Sequence, residues 1–222
     1  MSVIGKLHLL LSKSGSEEMA GREFTPFEVG DRFRVFPPGA YACHDGRVHL
    51  IMAPGAFGSG EHETTASCLE LLETLPEVKG ASLLDLGSGT GILAIAALKL
   101  GAQHALCVDT NPAAVRTCQA NCELNGVSDK VDHLCGSLGH VAAGSFDLIL
   151  ANMYGDILLA VADVLVAKAR SRAPLLLSGI LYEDNFAVRS RYRALGCAVV
   201  LNRMLEEFTT VLLRKGESCL SG

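Results

Sequence analysis

From residue 82 onward the chain alternates short apolar runs with amphipathic segments closed by glycine, and that rhythm leaves few folds open. Ser82–Leu86 reads as a buried strand and Ile92–Leu100 as a helix ended by Gly101. Ala105–Asp109 is the next strand, after which Asn111 and Pro112 supply a helix cap and a first-turn proline, and Asn125-Gly126 closes that helix. Val131–Cys135 and Phe146–Ala151 are further strands, Ile157–Arg170 an amphipathic helix and Pro174–Ser178 a strand, and a helix near Asp184–Leu195 ends at Gly196. Ala198–Leu201 and Thr209–Arg214 then read as strands joined without a crossover helix, hence an antiparallel pair. Strands separated by helices predict a mostly parallel sheet covered on both faces. The expected fold is α/β and Rossmann-like, with a seven-stranded sheet and an antiparallel C-terminal strand pair.

Upstream the pattern is irregular. Phe33–Phe36 and His49–Met52 look like strands on either side of a Pro37-Pro38-Gly39 break, and a helix is predicted from Thr64, with Leu69, Leu72 and Leu75 on one side. The predicted division is a short strand-rich N-terminal segment, 1–55, packed on a catalytic domain, 56–222. With 49% hydrophobic and 19% charged residues among 222, a sizeable core is available and disorder is excluded. The longest apolar runs are strand-sized, far short of the roughly 18 residues of a membrane helix. Lys6 ahead of Leu7–Leu11 does not make a secretory signal, because His8 interrupts a short run, so a cytoplasmic protein is expected.

The eight cysteines include no Cys-x-x-Cys pair; Cys118 and Cys122, at i,i+4 in a helical pattern, read as buried free thiols. The seven histidines lack ligand spacing, so no metal is expected. A net charge of −5 argues against nucleic acid as a direct partner. Five glutamates and no lysine or arginine fall between Glu61 and Glu77; they read as a solvated helix face, or as a surface that attracts a cationic substrate.

The chemistry centres on Asp85-Leu86-Gly87-Ser88-Gly89-Thr90-Gly91, where a buried strand turns into a helix. Glycines allow a tight turn and a close approach of backbone to ligand, and the helix N-terminus aims N–H groups at the same spot. Asp109 ends the neighbouring strand, where a carboxylate can accept hydrogen bonds from both hydroxyls of an adenosine ribose. A dinucleotide fingerprint would need glycine at its sixth position; counting from Gly87 that residue is Ile92, and counting from Gly89 it is Ala94, which only the looser form tolerates. The acidic opening and three alternating glycines fit S-adenosylmethionine better, with an NAD-dependent oxidoreductase and a scaffold without turnover as the competing readings.

Two further strings add specificity: Ala56-Phe57-Gly58-Ser59-Gly60-Glu61-His62-Glu63-Thr64-Thr65, and Ala151-Asn152-Met153 at a strand end. With Asp85–Ile92 and Leu177-Ser178-Gly179-Ile180-Leu181 they resemble the PrmA family, methyltransferases of large-ribosomal-subunit protein eleven, in register from about Glu23 to the C-terminus. The resemblance implies that Thr65, Gly87, Asp109 and Asn152 contact S-adenosylmethionine, with Asp85, Gly89 and Gly91 in the same turn. It further implies that Phe57, Gly58, Gly60 and His62 form a loop over the methionine end. Asn152 and His62 are the candidate catalytic residues: Asn152 to orient the acceptor nitrogen, His62 either to act there or only to hold the loop's shape. The implied acceptor is a lysine or amino-terminal amine of a protein, a ribosomal one among the candidates; another protein or a small molecule is the alternative. The chain has Glu61 and Glu63 where the family often has threonine and proline. Family members carry a separate N-terminal domain that holds the substrate, and only about 20 residues precede the resemblance here.

Overall fold

The computed structural model describes residues 25–40, 45–53, 62–142 and 144–217. Three strands come first, β1 (Phe27–Val29), β2 (Phe33–Phe36) and β3 (Val48–Ile51), followed by helix α1 (Glu63–Leu72). The alternating part runs β4 (Ser82–Leu86), α2 (Ile92–Lys99), β5 (His104–Asp109), α3 (Pro112–Asn125), β6 (Val131–Cys135), β7 (Leu148–Asn152), α4 (Gly155–Lys168), β8 (Pro174–Leu181) and α5 (Tyr182–Ala194). It closes with β9 (Cys197–Met204) and β10 (Phe208–Lys215).

The large sheet has seven strands in the order β6-β5-β4-β7-β8-β10-β9. Neighbours from β6 to β8 are parallel, and β10 runs antiparallel to both β8 and β9, as the missing crossover helix predicts. Because side chains alternate along a strand, β4 sends Leu83 and Asp85 to one face and Leu84 and Leu86 to the other. The first face packs under α1, α2 and α3, the second under α4 and α5, and each forms its own apolar cluster. The chain reverses direction across the sheet between β4 and β7, which opens a crevice at the carboxyl ends of the strands, the place where open α/β sheets take ligands.

The helix signals act as the sequence suggests. Asn111 Oδ1 accepts from Ala113 N at 2.9 Å with Pro112 behind it, and Gly126 closes α3 in the left-handed region at φ 66°. The predicted strand at Phe146 starts two residues later, since Phe146 makes only an isolated bridge with Ala169. Strand β8 runs three residues past its predicted end, because Gly179 (φ 76°) lets it bulge where its register with β10 shifts.

The small sheet β1-β2-β3 is tied to the large one by apolar packing and by two asparagines of α3. Val29, Phe33, Val35, Leu50 and Met52 belong to the cluster of α1 and α2. Asn125 acts as a strand would: Ile51 N donates to its Oδ1 at 3.0 Å and its Nδ2 donates to Ile51 O at 2.7 Å. One turn earlier, Asn121 accepts from Ala53 N at 2.9 Å and donates to Thr90 O at 2.9 Å, joining β3's exit to the glycine turn. Replacing Asn125 with alanine strips two half-buried backbone groups of their partners and should cost about 2–4 kcal/mol. A urea titration reads this directly; a loss below about 1 kcal/mol would show that the junction carries little.

Candidate functional site

Glycine shapes the turn between β4 and α2. Gly87, Gly89 and Gly91 all have positive φ (71°, 54° and 80°), a conformation that residues with a Cβ adopt at a cost. Gly87 N and Ser88 N both donate to Val108 O, at 2.8 and 3.1 Å, which ties the turn to the end of β5. Asp109 completes the tie: its Oδ2 accepts from Gly89 N at 3.0 Å and its Oδ1 from Asn111 N at 2.9 Å. Each carboxylate oxygen keeps acceptor capacity for further donors.

Beneath the turn, Asp85 is 2% exposed and its Oδ2 accepts from Ala94 N, in the first turn of α2, at 3.3 Å. The expectation of helix N–H groups aimed at a ligand is therefore corrected in part, since a buried acid takes one of them. Burial pushes the Asp85 carboxyl up to about 7; the Ala94 N–H opposes the shift and the Asp109 charge adds to it.

Two cavities meet over this turn. One, of about 490 Å³, is walled by Leu86, Val108, Leu138, Ile157 and Val161 and rimmed by Gly136, Ser137, Tyr154 and Phe208. The other, of about 330 Å³, lies against Thr65, Asp85, Ser88, Gly89 and Asn111. Both include Gly87, Asp109 and Asn152. A largely apolar cleft with a few convergent polar groups is the usual form of a small-molecule site, and both volumes lie in the common range of about 300–1,000 Å³. Gly91 lines neither cavity; it caps α2, and a Cβ on it would stand 2.4 Å from Cys118 Sγ.

The opposite side of the crevice is built on α1 and the end of β7. Asn152 Nδ2 donates to Thr64 Oγ1 at 3.2 Å and Thr65 Oγ1 at 3.4 Å, which fixes the amide so that its Oδ1 remains an acceptor. A Cβ at Gly179 would lie 3.0 Å from that Oδ1 and 2.9 Å from Met153 O, so glycine keeps this corner open. His62 is the N-cap of α1, with Nδ1 2.8 Å from Thr64 Oγ1 and 3.4 Å from Thr64 N. Its ring meets Phe208 edge to face, with centroids 5.4 Å apart. These contacts give His62 a shape-holding part. Phe57, Gly58 and Gly60 lie outside the described residues.

Of the five glutamates from 61 to 77, Glu61 lies outside the described residues and the other four prove to be joints. Glu63 accepts from Glu206 N, Glu207 N and Phe208 N at 2.6, 3.1 and 3.2 Å, clamping the β9–β10 turn and placing Phe208 at the rim. Burial raises the Glu63 carboxyl, but the three N–H donors and His62 outweigh it and hold it below the usual range. Glu70 pairs with Arg203 at 2.6 Å, Glu73 accepts from Asp31 N and Arg32 N, and Glu77 pairs with Arg214 at 2.6 Å. Neither a solvated face nor a lure for cations describes these four side chains, because each is already bound. No local sequence pattern marks Phe208, Tyr154 and the Gly136–Leu138 stretch, which reach the crevice only through the sheet order.

The model of the family described as ribosomal protein L11 methyltransferase (PrmA) matches residues 12–222. The chain is 39% identical over 192 residues to the ribosomal protein L11 methyltransferase of Trichlorobacter lovleyi, covering 82% of this chain and 63% of that protein. It is 38% identical over 187 residues to the Myxococcus xanthus protein of the same name, covering 83% and 64%. It thus spans less than two thirds of the length of these relatives. Among solved structures, the ribosomal protein L11 methylase of Lactobacillus delbrueckii subsp. bulgaricus superposes with a TM-score of 0.79 at 26% identity, covering 87% of this chain and 100% of that one. The M. jannaschii tRNA m1G37 methyltransferase, at 13% identity and TM-score 0.61 over 69% of this chain and 50% of that one, shares the fold.

Asp85 has a measurable signature. Burial pushes its carboxyl up to about 7, above the ordinary aspartate value of 3.8, so the native state binds the extra proton. Stability is therefore highest below pH 3.8 as far as this group is concerned, and falls as pH rises toward 7, by about 1.4 kcal/mol per unit across the steepest part. Asp85→Asn should flatten this fall and unfold at higher urea than the parent at pH 8. Parallel curves for the two proteins from pH 4 to 8 would contradict the burial assigned to Asp85.

Proposed function

The chain belongs to the ribosomal protein L11 methyltransferase (PrmA) family, and on that premise we propose that it transfers methyl groups from S-adenosylmethionine to amines of a ribosomal protein. One observation carries the choice of cofactor. A pyrophosphate needs free N–H groups and a positive helix end; here Asp85 consumes an N–H of α2, Gly89 N is taken by Asp109, and two acids flank the turn. That arrangement opposes an anion, which disfavours NAD, and tolerates a cation.

The residues present fit an S-adenosylmethionine molecule. Asp109 would accept its ribose hydroxyls, the apolar wall of Val108, Leu138 and Ile157 would hold its adenine, and the Gly87–Gly89 backbone with Thr65 and Asn152 would border its methionine end. When bound, S-adenosylmethionine supplies an electrophilic methyl group on a positively charged sulfur.

The protein's own part is to present an uncharged amine. A lysine with a reference pKa near 10.4 costs about 4–5 kcal/mol to present neutral at pH 7. The apolar cleft reduces that cost, because desolvation disfavours the ammonium. Asn152, its Nδ2 held by two threonines, would accept an amine hydrogen at Oδ1 and fix the nitrogen's direction. Positioning of this kind supplies much of the rate, and no general base is required. His62, engaged in capping α1, contributes shape. A soluble, cytoplasmic protein acting on protein rather than nucleic acid completes the reading; no helix among the described residues is long and apolar enough to cross a membrane.

The test uses purified chain, methyl-labelled cofactor and unmethylated ribosomal protein L11, with ribosomal RNA and a small-molecule extract in parallel. Label on protein amines is expected, and label confined to RNA or metabolites would reject the proposal. Asp109→Ala should weaken S-adenosylhomocysteine binding by more than about tenfold, equivalent to 1.4 kcal/mol. Unchanged affinity would remove Asp109 from the site.

A further inference from the structure

Behind the glycine turn, β5, α3 and β6 bring three thiols and an imidazole together. Cys107 and His133 are register partners on adjacent parallel strands, so both side chains leave the same face of the sheet. Cys118 and Cys122 stand one turn apart on α3, which packs over that face. The Sγ atoms of Cys107 and Cys118 and a ring nitrogen of His133 all lie within 4.8 Å of one another. The Cys118 thiol contacts both Cys107 and Cys122, and Cys122 sits against His133. The three cysteines are 1%, 0% and 0% exposed. Independently, His133 Nδ1 is buried with no hydrogen-bond partner, an unusual state for an imidazole in a half-buried residue.

We propose that Cys107, Cys118, Cys122 and His133 form a Zn2+ site of the three-cysteine, one-histidine type, separate from the methyl-transfer crevice. Thiolates and imidazole are the donors that Zn2+ prefers over Mg2+ or Ca2+. In a tetrahedral site with Zn–S near 2.3 Å and Zn–N near 2.0 Å, neighbouring donor atoms lie about 3.5–3.8 Å apart. Closing the three grouped atoms to that size moves them inward by about 1 Å, and Cys122, which lies outside that group, swings in from one helical turn away. Binding forms three Zn–S bonds and one Zn–N bond, releases three thiol protons to solvent and leaves the imidazole neutral.

Burial and mutual hydrogen bonding raise the thiols' pKa values, most of all at Cys118 and Cys122. The same shift makes the thiols poor nucleophiles, which disfavours a disulfide switch built from them. An ion here would pin β5, α3 and β6 under the glycine turn, since Cys118 Sγ abuts the space above Gly91. The spacing Cys107-x10-Cys118-x3-Cys122-x10-His133 hides the cluster from a search for paired ligands, because the sheet register, not local sequence, assembles it.

The full chain, reduced and stripped with chelator, is titrated with Co2+ as a spectroscopic probe and then with Zn2+. One equivalent of Co2+ should give thiolate charge-transfer absorbance and the visible bands of a tetrahedral ion, both removed by one equivalent of Zn2+, with the melting temperature raised by Zn2+. A protein carrying Cys43→Ser, Cys135→Ser and Cys219→Ser should keep the whole signal. His133→Asn, at a half-buried position, should weaken Co2+ binding at least tenfold, and Cys118→Ala should abolish it. Absence of a stoichiometric signal, its loss in the triple serine protein, or wild-type affinity in His133→Asn would each overturn the site. His133→Asn decides the matter even if Cys118→Ala fails to fold. Retained methyl transfer in a protein without Co2+ binding would reject the metal and leave the enzymatic reading standing.

Discussion

The Asp109 carboxylate joins the end of β5 to the glycine turn on one side and to the start of α3 on the other. Those two hydrogen bonds hold the turn in a conformation that only glycine adopts without strain, and so keep backbone, not side chains, at the mouth of the crevice. Asp85 completes the arrangement from below by holding the first turn of α2. One acid stands at the surface of the site and one beneath it; burial pushes the lower one, Asp85, up to about 7, and the Asp109 charge adds to that shift. The same pairing gives the crevice a sign, suited to a cationic ligand and hostile to a pyrophosphate.

Helix α1 is the second organising element. It packs on one face of the large sheet with its first turn at the end of β7, and offers its side chains to four different neighbours. Glu63 holds the β9–β10 turn, Glu70 holds Arg203 of β9, Glu73 holds the backbone after β1, and Thr64 with Thr65 holds Asn152. The small N-terminal sheet, the antiparallel strand pair and the Asn152 corner of the crevice are thus fixed by one short helix. His62 belongs to the same device, since it caps α1 while its ring rests on Phe208.

The alternating part of the fold was legible because its punctuation is strong: Gly87–Gly91, Asn111-Pro112 and Asn125-Gly126 each demand a particular backbone state, and the structure uses every one. Strand ends were less legible where tertiary pairing decided them, as at Phe146 and beyond Ser178. Asp109 and Asn152 stand out in the sequence because both end buried strands, and the structure brings both to the lining of the crevice. Phe208, Tyr154 and Ser137 reach the same crevice from distant turns with no local mark. Acidic spacing misled for a similar reason: the partners of Glu63 and Glu73 lie 143 and 42 residues away, so the sequence displays the charges and conceals what neutralises them.

A crystal structure of the chain bound to S-adenosylhomocysteine measures the central claim most directly. The ribose is expected against the Asp109 carboxylate, the adenine along Val108 and Leu138, and the amino-acid end beside Gly87 and Asn152. A nucleoside bound anywhere outside this crevice, or one bound with Asp109 turned away to leave Gly89 N unpaired, would contradict it.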